Sequence, residues 1–526
     1  MVQEQTSWLV YFCALFASIG GLIFGFDVGS ISGLLNMQDS KDRFGDVPDK
    51  AHPGHFDFGD FRTGIIVGAF SVGTFLGCMI GGPSADRLGR RKALILWSAI
   101  YAVGVVIQFF SVDKWFQIAI GRFVSGLGVG SLSVLVPLYT SELAPKKIRG
   151  ILVATLQLTF TFGIFLSYIV NWATKQRQGA TQWRIPISLC LFWAAVLGIG
   201  MCFVPEAPRQ LYMDGKYDEC KKVLAKIRGL TSDENLVQED YNDLEKTIET
   251  EQKSGKGSWK ECFTGEPRMC YRTVLGMTIQ SVGQLSGASF FWYYGVNLFS
   301  TIGMGDAFVT QITIGGLLFF STIGVVFLID RYGRRNCLFW GAAWCSVMLV
   351  IFSTLGLNMT QNDGTNNPKI ASAMICFVCL YILGYATTWG PCAFVVISET
   401  YPFHLRARCM SIATGCSWLW NIFIALFSKA ILNKIKYSYG FLFAGANIIG
   451  CITVYFFLYE TKALTLEQVN EMYMEPKLKP WQSHRWIPAR GEMKQNKTAN
   501  SLPSSSRNSL DLSYTDMELE KVVSEN

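Results

Sequence analysis

The sequence predicts an all-α polytopic membrane protein, with twelve transmembrane helices in two pseudo-symmetric six-helix bundles. Three observations carry this. Half of the 526 residues are hydrophobic and only 16% are charged, against about 25% in a soluble globular protein, and mean hydropathy is +0.28. Apolar runs long enough to cross a bilayer recur twelve times, six on each side of a charged loop. Short polar motifs at the ends of the first six runs return, in order, in the second six.

A bilayer core of about 30 Å takes about 20 helical residues. In the first half, runs at 8–35, 61–83, 93–111, 115–140, 150–171 and 185–204 meet this, so 8–204 is one bundle. Residues 1–7 have no basic stretch and the first run is long, so it reads as a retained span and not a cleaved signal. The loop 205–269 contains "YDECKKVLAKIRG" and "NLVQEDYNDLEKTIETEQK", two stretches with helical apolar spacing that predict short amphipathic helices. Runs at 270–300, 307–329, 337–357, 371–398, 409–431 and 437–458 make the second bundle, 270–458. The tail 459–526 is polar and is expected to be disordered after about 497.

Net charge is +7, but the basic residues come in short clusters between runs. That pattern excludes a nucleic-acid face and sets topology instead. "DRLGRRK", "APKKIRG", "DRYGRRN" and "HLRAR" are expected in the cytosol, and the acid-rich segment 36–60 outside. Both termini are then cytosolic, and Asn358 in "NMT" is an outward-facing candidate for glycosylation. The 15 cysteines are scattered, mostly within apolar runs, and give no metal spacing in a loop. "GLGVG" lies inside a span, and no GxSxG, HExxH or Walker motif occurs, so no enzyme is expected.

The motif pairs fix the arrangement of the halves. Arg87 and Arg331 are 244 residues apart, Glu142 and Glu399 are 257 apart, as are Arg149 and Arg406, and Glu206 and Glu460 are 254 apart. Near-constant offsets imply two parallel halves related by an axis along the membrane normal, a transporter architecture with its substrate site between them near the midplane. Glycines at 21, 25 and 29, at 73, 77 and 81, and at 126 and 130 predict close helix packing. Asp27, the one charge in the first run, stands about 200° from the glycine face. It is therefore expected to point away from that packing and toward the central cavity.

Together "DRLGRR", "PEAPR", "RGILVATLQ", "QLSGASFFWYYG", "DRYGRR" and "ETYP" resemble the sugar porter branch of the major facilitator superfamily, over about residues 8–472. Within it the likeness is to fungal hexose transporters and proton-coupled monosaccharide symporters. The resemblance implies a carrier that rocks around a central sugar site, with protons as coupling ion and no other cofactor. It implies a cytoplasmic gate of ion pairs: Arg90, Arg91, Glu142, Arg149 and Glu206 in the first half, and Asp330, Arg334, Arg335, Glu399, Arg406 and Glu460 in the second. It pairs Asp27, as proton carrier, with Arg122 of the fourth span. Sugar contacts would come from Gln157, Gln284, Ser289, Tyr293, Tyr294, Phe394, Trp418 and Asn421.

Five positions depart from the usual contacts of that family: Gly283, Ser289, Leu318, Phe394 and Ser417. They remove amide partners and add room, which weakens a reading as glucose and makes fructose a candidate, with a pentose or a polyol as the alternatives. The alternatives are a facilitative uniporter and a sugar sensor that does not transport. A plasma-membrane location is expected, with the tail's Ser and Lys open to trafficking or ubiquitin machinery.

Overall fold

The computed structural model describes residues 7–486 apart from 49–53, 144–148, 231–234, 254–257, 303–305, 325–330, 362–367, 403–404, 463, 465 and 476–477. The Ser7 hydroxyl caps the first helix, accepting from the Leu9 amide at 3.3 Å. The first half comprises α1 (Trp8–Leu34), α2 (Asp60–Leu88), α3 (Arg90–Phe109), α4 (Trp115–Leu143), α5 (Arg149–Thr174) and α6 (Thr181–Phe203). The second comprises α7a (Met269–Leu285) and α7b (Ala288–Ile302), α8 (Ala307–Ile323), α9 (Arg334–Gln361), α10a (Pro368–Thr387) and α10b (Trp389–Thr400), α11 (Arg406–Ile435) and α12 (Tyr439–Phe457). Ten of these spans are long and apolar enough to cross a membrane as they stand. Span eight is a shorter apolar helix of 17 residues. Span seven departs from the unbroken run expected of it: it stops at Ser286, and Gly287 has φ 104°, where a side chain is rarely tolerated.

Glycine sets the distance between helices. The stripe Gly21, Gly25, Gly29 lies against α5, and a methyl group at Gly25 would fall on the Phe160 carbonyl. Gly73, Gly77 and Gly81 of α2 meet Phe123, Leu127 and Ser131 of α4, and Gly126 and Gly130 return the contact at Phe70 and Thr74. Apolar burial gives helices little drive to associate within lipid, so close backbone packing must supply it. Between the halves, α2 runs along α11 and α5 along α8.

The two amphipathic stretches of the central loop form helices Tyr217–Arg228 and Asn235–Lys253, as expected. Within segment 36–60, helix Gln38–Phe44 is followed by a short antiparallel pair, Val47–Pro48 with Phe56–Asp57. The start of the tail is also structured. Helix Leu466–Met474 buries Val469, Met472 and Tyr473 against the second half. Arg272 of α7a holds it: the guanidinium lies 4.4 Å from the Tyr473 ring centre and donates to the Thr400 carbonyl at 2.8 Å and to Asn470 Oδ1 at 2.5 Å. Residues 497–526 lie outside the described part.

Candidate functional site

The end of the molecule that carries the arginine motifs is here called the basic end, and the opposite end the far end. At the basic end the doubled motifs make the same contacts twice. Arg90 pairs with Glu142 of α4 at 3.1 Å, and Arg334 pairs with Glu399 of α10b at 3.0 Å. The Arg91 side chain donates to the Cys202 carbonyl at 2.6 Å, and that of Arg335 to the Tyr455 carbonyl at 2.9 Å.

Glu206 and Glu460 behave differently from the ion-pair role expected of them. Glu206 accepts from the Arg91 amide at 2.9 Å, and Glu460 from the Arg334 and Arg335 amides at 2.9 and 3.1 Å. Each carboxylate thus caps a helix N-terminus, where free N–H groups and the positive end of the helix dipole favour an anion. Gly89 and Gly333, at φ 86° and 85°, make the turns that allow this. A Cβ on Gly333 would stand 2.6 Å from Glu460 Oε2. Each of these contacts stays within its own half. Arg406 opens α11 and Arg149 opens α5, the latter with its side chain outside the described part, as Asp330 is altogether.

Asp27 and Arg122 are buried together, and Arg122 Nη1 donates to Asp27 Oδ1. The guanidinium carbon lies 4.3 Å from the ring centre of Phe70. Asp27 Oδ2 and Arg122 Nε and Nη2 have no hydrogen-bond partner among the described residues. Beside them is a narrow crevice with room for about one water molecule, lined in part by Ser30, Gln108, Trp183 and Cys190. The glycine face does pack on a neighbour, and Asp27 does point away from it. The expected direction needs correcting, however. α1 lies between α5 on its glycine side and α4 and α6 on the other, so the opposite face looks into the first half and not into the space between the halves.

That space holds a polar node. The break in span seven brings Gln284, at the end of α7a, to Ser289, at the start of α7b, and Gln284 Nε2 donates to Ser289 Oγ at 2.6 Å. Asn421 of α11 donates to the same oxygen at 3.4 Å. Asn421 Oδ1 accepts from Tyr293 at 3.1 Å and from Ser71 of α2, in the other half, at 2.6 Å. An aromatic arc runs beside the node: Trp418 lies 5.4 Å from Phe24 and 6.5 Å from Phe70, Phe24 lies 4.4 Å from Phe160, and Phe160 lies 5.6 Å from Trp292. Phe70 therefore touches both the arc and the Asp27–Arg122 pair. Gln157 faces α10b from the first half; a Cβ on Gly390 would be 3.5 Å from its Nε2.

Two expected sugar contacts turn elsewhere. Tyr294 is fully buried and donates to the Ala425 carbonyl at 2.7 Å, bracing α7b on α11. Phe394 packs on the cluster of Met269, Ile397 and Tyr401, toward the basic end. Sequence reasoning missed Ser71, Phe24, Phe70, Phe160 and Trp292. Ser71 carried a faint signal as a small polar residue in a glycine-rich span, whereas nothing separates those rings from the rest of 38 Phe and 15 Trp. Asn358 is exposed near the far end of α9.

The sugar (and other) transporter family matches residues 13–473. The hexose transporter HXT10 of Saccharomyces cerevisiae is 43% identical over 485 residues, 92% of this chain and 88% of that protein. The low-affinity glucose transporter of Kluyveromyces lactis is 42% identical, over 91% of this chain and 85% of its own. Among solved structures, the proton:xylose symporter XylE bound to 6-bromo-6-deoxy-D-glucose, a major facilitator superfamily protein, matches with a TM-score of 0.73 at 23% identity, covering 88% of this chain and 99% of that one. That likeness shows the fold.

Proposed function

Because the chain belongs to the sugar (and other) transporter family, whose members are twelve-helix membrane transporters and not enzymes, we propose that it carries a hexose across the plasma membrane by alternating access, with a proton on Asp27 as coupling ion. The observation that carries the hexose reading is the node of Gln284, Ser289, Tyr293, Asn421 and Ser71 beside the Trp418 arc, where the two halves meet. A hexose needs donors and acceptors for several hydroxyls and an aromatic face for its C–H surface, and the node offers both. The similar yeast proteins, a hexose transporter and a glucose transporter, support the same class. They lend nothing to fructose, so fructose enters the test as a competitor.

The proton reading rests on Asp27 Oδ2, which is buried without a partner among the described residues and lines the crevice. Intramembrane carboxylates are costly and mark proton relays in many transporters. A facilitative reading has its own support in the direct Arg122 contact, which already neutralises the charge. Substrate-driven proton movement separates the two.

By the charge of its connections the basic end is cytosolic, with both termini inside. Asn358 is then outside as a glycosylation acceptor, and the tail is available to trafficking or ubiquitin machinery. Uptake of labelled glucose into yeast cells lacking their own hexose carriers tests the transport reading, with fructose, xylose and sorbitol as competitors. Saturable uptake inhibited by hexoses supports it. Sugar binding without uptake at normal surface density makes the chain a sensor and overturns it.

A further inference from the structure

At the far end two lysines reach from one half to the other. Lys175, one residue beyond α5, pairs with Asp306, the residue that caps α8. Lys429, near the far end of α11, donates to the Phe58 carbonyl at 2.5 Å and to Thr63 Oγ1 at 3.2 Å, and stands 4.0 Å from Oδ1 of Asp60, the first residue of α2. α5 and α11 are the fifth spans of their halves, and α2 and α8 are the second. Lys175 and Lys429 are 254 residues apart, and Asp60 and Asp306 are 246 apart, both within the 244 to 257 spread of the motif repeat. So the internal symmetry that doubles the basic-end clusters also doubles these contacts, one on the α5–α8 side and one on the α2–α11 side. The difference lies in what they join: the basic-end contacts described above hold one half together, and these hold the two halves to each other.

We propose that Lys175–Asp306 and Lys429–Asp60, with Phe58 and Thr63, form a symmetric clasp that holds the far side of the carrier shut and is released when the site opens there. This rests on the alternating-access reading above. The chemistry suits a contact that must break in every cycle. The lysine side chains are 21% and 16% exposed and the aspartates 36% and 43%, so water reaches all four. An ion pair this wet shifts an equilibrium by about 1.4- to 5-fold, and two acting together by the product. Asp306 is charged at neutral pH: burial pushes its carboxyl up, but the Lys175 ammonium and the Phe308 amide outweigh this and hold it below its usual value.

The test compares wild type with Lys175→Gln, Lys429→Gln, the double variant, and the charge swap Lys175→Asp with Asp306→Lys. Half-saturation for glucose is measured on each face of the membrane, by uptake and by exit, at matched surface density. Opening the clasp favours the outward-facing state. Each single variant should lower the outside-to-inside ratio of half-saturation constants by about 1.4- to 5-fold. The double variant should show about the product, and the swap should restore the wild-type ratio. A ratio unmoved in the double variant, or a swap that fails to restore it, overturns the clasp while leaving transport intact. If the double variant does not reach the membrane, the single variants and the swap decide by the same readings. A wild type that moves glucose in neither direction removes the alternating-access reading, and the clasp with it.

Discussion

Replacing Asn421 by Ala removes the centre of the polar node. Its side chain makes three hydrogen bonds, at 2.6, 3.1 and 3.4 Å, to Ser71, Tyr293 and Ser289. A neutral hydrogen bond contributes about 0.5–1.5 kcal/mol net, so the two shorter ones amount to about 1–3 kcal/mol. The third, at the long edge of acceptable geometry, adds little. If a bound hexose takes over these same groups, the loss appears as weaker binding. At 1.4 kcal/mol per decade, half-saturation for glucose should rise about 5- to 150-fold at normal surface density. Ser71→Ala removes one bond and keeps the amide, so its effect should be smaller, about 2- to 13-fold. Uptake kinetics in carrier-deficient cells measure both. An Asn421→Ala carrier with wild-type half-saturation, or a Ser71→Ala carrier that is the worse of the two, would refute the node as the sugar site.

Glu142→Gln breaks a buried pair, which costs about 3–5 kcal/mol when the remaining charge is stranded. Arg90 keeps Asp86 at 3.4 Å and a bond to Gln210, so the low end, about 3 kcal/mol, is expected as a lowered melting temperature of the purified protein. Glu206→Ala removes the cap of α3 and should cost about 0.5–2 kcal/mol in the same assay, with Glu460→Ala alike at α9. Equal melting curves for wild type and both variants would contradict the capping roles. Phe70→Leu separates the Arg122 guanidinium from the Trp418 arc and gives up a cation–π contact of about 0.5–2 kcal/mol. We expect it to reduce accumulation more than exchange, read by comparing net uptake with counterflow of the same label.

The architecture was legible in the sequence because each of its signals is local and repeated. Run length gave the spans, the glycine stripes gave close helix packing without saying which helices meet, and the motif offsets gave two equivalent halves. What stayed hidden depends on three-dimensional neighbours. Glu206 and Glu460 carry the same formal charge whether they meet an arginine side chain or a helix N-terminus, and the turn at Gly89 and Gly333 decides which. Asp27 could be placed opposite its glycines, but which helix stands on that side follows from the order of spans around the bundle. Tyr293 and Tyr294 are adjacent, yet one joins the node and the other braces α11, because successive helical positions lie about 100° apart. The far-end lysines attract no notice as single charges, and only the contact across the halves gives them meaning.

Simultaneous measurement of hexose and proton movement by the purified protein in sealed liposomes tests the central claim most directly. With labelled glucose added outside and a pH-sensitive dye within, glucose should enter saturably, protons should enter with it, and an imposed inward proton gradient should drive accumulation. Asp27→Asn should abolish accumulation and proton entry and retain counterflow. Glucose that merely equilibrates, with no proton movement and no response to the gradient, contradicts the account: the Asp27–Arg122 pair is then a fixed structural bridge and the carrier a facilitator.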